Sequence, residues 1–179
     1  MRIVKAALVG AAATAALLSV AVPAGAQSAA PVDSTLEQQV QQTLDTVKGA
    51  ERISVNTVRL AEGVSVTFPV KDRKAVKAAT NGVAPRVDDW FGCSVGYLCM
   101  WEHVEMSGAR INFTNCRTEN LWAYGWGNRV SSYSNNQTGS VYTLFYDGDT
   151  AVWGEEATGY RRNLVDNGMN DRFDAVKVC

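Results

Sequence analysis

Apolar and polar positions alternate differently in four successive stretches of the chain. Residues 6–22 are almost wholly apolar. Further on, Leu36, Val40, Leu44 and Val47 recur at helical spacing behind Ser34-Thr35-Leu36-Glu37, and Gly49 closes the pattern. The first four of these residues have the form of a capping box, so one short amphipathic helix is predicted. Residues 53–60 and 64–68 change to a period of two, with Glu62-Gly63 between them and Pro69 after them. That pattern predicts a β-hairpin. In residues 71–91 periodicity is lost: Lys71, Arg73, Lys74 and Lys77 sit among alanines, followed by Asn81-Gly82 and Pro85, which reads as a linker.

The last half is a repeat. Tyr97-Leu98-Cys99-Met100-Trp101-Glu102 lines up with Tyr142-Thr143-Leu144-Phe145-Tyr146-Asp147. Farther along the offset settles at 43 residues: Asn120-Leu121 matches Asn163-Leu164, Gly125 matches Gly168, and Asn128-Arg129-Val130 matches Asp171-Arg172-Phe173. Short strands with Gly, Asn and Asp between them suit antiparallel sheets. Each copy alone leaves an apolar face uncovered, and two Greek keys facing each other as a sandwich bury both. Residues 92–179 are therefore expected to be an all-β domain. The helix and hairpin of residues 27–70 supply few apolar anchors and read as a leader or accessory segment. The alternative is that they form the N-terminal part of one larger domain.

Composition adds the compartment. Arg2 and Lys5 precede the apolar stretch and Ala24-Gly25-Ala26 follows it. A positive start, an apolar centre and small residues at the end are the signature of a cleaved signal peptide, residues 1–26. No later stretch is long and apolar enough for a membrane span. The formal net charge is −1, and removing the signal peptide takes two positive charges with it. Without a basic stripe, nucleic acid is not an expected partner. Cys93, Cys99, Cys116 and Cys179 all lie in the repeat region. An even number in an exported chain points to disulfides, and of the three possible pairings the spacing favours Cys93–Cys99 and Cys116–Cys179 without deciding between them.

Catalysis finds little support. His103 is the only histidine, no His-x-x-x-His pair exists for zinc, and no serine has the glycine pattern of a nucleophile elbow. Disulfide-bonded cysteines are not nucleophiles. An enzyme is not expected. Trp122, Tyr124 and Trp126 alternate along one side if the segment is extended, and their faces would then stack on sugar rings or fill a partner's pocket. Core packing is the plainer role for such residues.

The aromatic strand at the start of the repeat and the Asn128-Arg129-Val130-Ser131-Ser132 segment near its end resemble a βγ-crystallin-type domain. The Cys-x5-Cys start and Ser107-Gly108-Ala109-Arg110 are similar to the actinobacterial secreted metallopeptidase-inhibitor family built on that fold. The resemblance implies a secreted, monomeric inhibitor of an extracellular peptidase that blocks the active-site cleft with a surface loop. In that family's best-understood inhibitor a local disulfide braces the loop in the second Greek key. The corresponding stretch is Val152-Trp153-Gly154-Glu155-Glu156-Ala157, which contains no cysteine. The resemblance also implies calcium as a possible ligand, with no other cofactor. Degenerate calcium motifs leave Ser131, Asn170, Asp171 and Asp174 as candidate oxygen ligands. The other reading is an extracellular glycan- or wall-binding module that uses the aromatic surface, with or without weak calcium binding.

Overall fold

The computed structural model describes residues 34–71, 92–157 and 161–179. The signal peptide expected at residues 1–26 and all but the first residue of the linker expected at residues 71–91 lie outside the described residues.

The helical pattern forms α1 (Ser34–Thr46). Leu36 and Val40 are buried, Val47 just beyond the helix is buried too, and Gly49 turns the chain at φ 83°. The alternating stretch that follows is three strands, β1 (Glu51–Ser54), β2 (Thr57–Ala61) and β3 (Val64–Thr67), where the period of two predicts a single hairpin. The break falls at Val55-Asn56, and buried Asn56 explains it. Its Nδ2 donates to Phe68 O at 2.8 Å, and its own carbonyl accepts from Phe68 N at 2.8 Å. This pins a turn into the middle of the alternating run. The Arg52 guanidinium then ties β1 to α1 through a fork onto the Glu37 carboxylate, at 2.8 and 2.9 Å.

The repeat supplies four strands per copy. The first copy holds β4 (Tyr97–His103), β5 (Ser107–Phe113), β6 (Thr118–Asn120) and β7 (Ser132–Asn136). The second holds β8 (Tyr142–Asp147), β9 (Thr150–Glu156), β10 (Arg161–Asn163) and β11 (Ala175–Lys177). All pairings are antiparallel. One sheet runs β1-β2-β3-β5-β4-β7-β10 and the other β6-β11-β8-β9. The third strand of each copy thus pairs in the other copy's sheet. This is the βγ-crystallin-like arrangement of two Greek keys, lengthened on one side by β1–β3.

Reciprocal hydrogen bonds lock the copies together at the 43-residue offset. Leu121 N donates to Asp174 O and Leu164 N to Ser131 O, both at 2.9 Å. Asn128 N donates to Phe173 O at 2.9 Å and Asp171 N to Val130 O at 3.0 Å. Asn128 (φ 55°) and Asp171 (φ 53°) share the left-handed conformation, which asparagine and aspartate tolerate better than most residues. Between the sheets Tyr133, Phe145 and Phe173 stack in series, with ring centroids 4.8 and 4.7 Å apart. Of the three pairings open to the cysteines, the structure holds Cys93–Cys99 and Cys116–Cys179. The second closes a separation of 63 residues. Such a loop stabilises by about 4 kcal/mol in the chain-entropy model.

The N-terminal strands join this core directly. Val64, Ser65, Val66 and Thr67 of β3 face Phe113, Asn112, Ile111 and Arg110 of β5. Leu36, Val40, Val58, Val64 and Val66 belong to one buried cluster with Met100, Ile111 and Tyr133. Val66→Ala, which empties space beside Ile111, should therefore cost about 2 kcal/mol. In a calorimetric melt the single transition of the whole chain should shift downward. Two separable transitions, with only the smaller one moved, would show that the first strands fold apart from the repeat.

Candidate functional site: the outer strand of the second repeat

The stretch 152–157, expected as a projecting surface loop, lies in the sheet. Val152 to Glu156 belong to β9, which pairs with β8 from Thr150↔Asp147 to Glu156↔Tyr142, and Ala157 N still donates to Val141 O at 2.8 Å. The cause is local. A period of two places Trp153 and Glu155 on the inward face, opposite buried Phe145 and Thr143. Gly154 on the outward face leaves room for the ring of exposed Tyr142. A Cβ there would stand 2.6 Å from Tyr142 Cε1.

The inward residues are committed to a network that bridges the two sheets. Trp153 Nε1 donates to the Tyr133 hydroxyl at 2.7 Å, and that hydroxyl in turn donates to the Glu155 carboxylate. Arg162 Nε donates to Glu155 Oε2 at 2.5 Å, and its guanidinium stands 5.6 Å from the centre of the Trp153 ring. Asn135 Nδ2 reaches Glu155 O at 3.3 Å. Burial, helped by the adjacent Glu155 carboxylate, raises the Tyr133 pKa well above the ordinary phenol value. The hydrogen bond to Glu155 raises that of Arg162. Glu155 is therefore an internal acceptor rather than a carboxylate presented to a metal. Glu156 alone of the two acids is exposed. Tyr133, Asn135 and Arg162 carry no local sequence signal for this role. Tyr133 and Asn135 reach β9 from β7 in the facing sheet, and Arg162 joins them because β10 crosses to pair with β7.

The aromatic trio does not form a common surface. Leu121–Tyr124 is a 3-10 turn, not an extended segment, because the Asn120 side chain accepts from Trp122 N and Gly125 closes the turn at φ 70°. Trp126 is 3 % exposed and packs in the core, and the Tyr124 hydroxyl donates to Glu119 Oε2 at 2.8 Å. Trp122 remains outside at 58 % exposure, with its Nε1 bound to Asp174 Oδ1 at 2.7 Å.

The four candidate calcium ligands do not converge either. Ser131 Oγ donates to Glu102 O at 2.7 Å and lies 3.5 Å from Asp171 Oδ1. Asn170 Nδ2 donates to Asp171 Oδ2 at 2.6 Å, and Asn170 Oδ1 is buried without a hydrogen-bond partner. Asp174 turns to other partners, Trp122 and Gly148 N, the latter at 2.9 Å. One carboxylate, one amide oxygen and one hydroxyl fall short of the 6–8 oxygens that calcium takes. Among the described residues no group of three or more His, Cys, Asp or Glu side chains is placed to hold a metal. The arrangement of these side chains gives calcium no support.

Two measurements follow from these environments. Chelation followed by millimolar calcium should leave the melting temperature unchanged, because only an ion that binds the folded state raises it. A calcium-dependent rise would contradict the ligand geometry. Tyr124, half-buried beside Glu119, is pushed up to about 12 by loss of solvent, and Tyr133 is raised as well. A phenol whose folded pKa exceeds its unfolded value near 10 stabilises fully below that value and loses its contribution as pH rises. Stability should therefore fall as pH rises from about 10 to about 12. Tyr124→Phe should reduce that slope in a urea titration; an unaltered slope would exclude Tyr124 as a cause.

Known proteins are similar to parts of this chain. No curated protein sequence matches the chain. One solved structure, described as "Evolution of the eye lens beta-gamma-crystallin domain fold", is similar at 15 % identity with a TM-score of 0.39, covering 47 % of this chain and 85 % of that one. Residues 87–157 match the model of peptidase inhibitor family I36. The described part of that match runs through β4–β9 and ends at Ala157, one residue past β9. Over residues 87–157 the chain is thus similar to a family of peptidase inhibitors, and the match supports an inhibitor role.

Proposed function

We propose that the mature chain is exported and inhibits an extracellular peptidase by occupying its active-site cleft. The observation that carries this reading is the family match over residues 87–157. The signal-peptide pattern of residues 1–26 and the two disulfides support the oxidising compartment in which such a target would be met. In this reading residues 27–70 are an accessory segment that stays packed on the domain of residues 92–179 through the β3–β5 pairing, residues 71–91 are the linker between them, and the chain acts as a monomer.

The contact surface is the strand made by residues 152–156, not a protruding loop. A strand held by β8 and by the Tyr133–Glu155–Arg162 network loses little further freedom on binding, which lowers the entropic cost of docking. That supplies the rigidity a bracing disulfide would supply elsewhere. Its target class is addressed by assay. Purified mature protein should inhibit thermolysin or subtilisin, as representatives of metallo- and serine peptidases. No inhibition of either, together with retention on insoluble polysaccharide, would overturn the reading in favour of a glycan-binding module built around Trp122.

A further inference from the structure

The two copies of the repeat can be compared row by row across their sheets. In the first sheet the inward residues Arg162, Tyr133, Met100 and Ile111 stand side by side on successive strands. In the second sheet Glu119, Val176, Phe145 and Trp153 do the same. Glu119 and Arg162, like Tyr133 and Val176, stand 43 residues apart, so the two rows are equivalent. Beyond this point they differ. The first row continues from Ile111 to Val66 on β3 and Val58 on β2. The second stops at Trp153, since among the described residues no strand pairs with the other side of β9. Ile111 is fully buried, whereas its counterpart Trp153 is half-buried.

The backbone repeats the comparison. Ala157 N is directed at β8, so the alternation of an antiparallel ladder directs the N–H and C=O of Glu156 and Gly154 the other way. In the first copy Thr114 holds the place of Glu156, and its N–H donates to Gly63 O on the β2–β3 turn at 2.9 Å. The bulge of the β8–β9 pair lies between Phe145 and Tyr146, which leaves Trp153–Glu156 regular. One outer strand of the repeat is thus filled by another segment of this chain, and among the described residues its equivalent is not.

We infer that β9 is a strand-acceptor edge, and that an extended segment lining the target peptidase's cleft pairs antiparallel with Trp153–Glu156 as β3 pairs with β5. The segment places an apolar side chain beside Trp153, where Val66 stands beside Ile111. Main-chain hydrogen bonds supply the affinity and the apolar position supplies the preference, as in other strand additions. This inference rests on the inhibitor reading and specifies its contact.

The test uses the full mature chain with whichever of thermolysin or subtilisin it inhibits. Glu156→Pro removes the outward N–H at a strand position where proline is tolerated, while Glu156→Ala removes only the side chain. Glu156→Pro should weaken inhibition at least about tenfold beyond Glu156→Ala. Melting temperatures establish that both variants fold. Independently of any variant, amide exchange at Gly154 and Glu156 of the wild-type chain should slow at least about tenfold in the complex. Equal inhibition by the two variants, or protection confined to other strands, overturns the edge contact and leaves the inhibitor reading standing. Protection of the same amides in the free protein together with a dimer by sedimentation also overturns it, because a second copy then fills the edge. A wild-type chain that inhibits neither enzyme removes both readings together.

Discussion

Each sheet of the C-terminal domain is completed by a strand from the opposite repeat. β10 pairs with β7 through Arg162↔Tyr133, and β6 pairs with β11 through Glu119↔Val176. Neither copy completes its sheet without the other, which couples the two copies into one packed body. The crossing sets the Arg162 guanidinium beside Tyr133 where both meet Glu155 of β9, while at the equivalent position buried Glu119 is bound by its chain neighbours Arg117 and Tyr124. The disulfide Cys116–Cys179 ties the start of β6 to the chain end beyond β11, so it reinforces one of these exchanged pairings.

Divergence between the copies then sets what each outer strand can do. Ser132 accepts from Met106 N and donates to His103 O, which holds the β4–β5 connection in a folded form with Glu105 and Met106 both left-handed. Its counterpart at the 43-residue offset is Ala175, which has no hydroxyl, and the β8–β9 connection is a short turn at Gly148-Asp149. The first outer strand carries Asn112, whose side chain reaches Ser65 and Thr67 of β3. The second carries Gly154 with Tyr142 across it. Similar backbones thus support an edge closed by β3 in one copy and, among the described residues, an open one in the other.

Much of this was legible in the amino-acid sequence, and the parts that were not have physical reasons. The 43-residue offset exposed the repeat because paired glycines and paired Asn128 and Asp171 answer the same backbone demand in both copies. The period of two in the aromatic trio says nothing about a 3-10 turn; Asn120 as a cap and Gly125 as its close were the available signals. The run at residues 53–60 hid the Asn56 turn, whose cause is a hydrogen bond to Phe68, far along the chain. Likewise nothing near residues 152–157 announces Tyr133 or Arg162. A strand-like pattern was present there, and the missing cysteines were the hint that no braced loop exists.

A chain that inhibits by pairing β9 with a peptidase must show that contact in the complex itself. The most direct measurement is a structure of the full mature chain bound to an enzyme it inhibits. The account predicts an added antiparallel strand along Trp153–Glu156, with β9 retained on β8 and an apolar side chain beside Trp153. A complex in which the enzyme grips another surface, or in which residues 152–157 leave the sheet to enter the cleft as a loop, would contradict it.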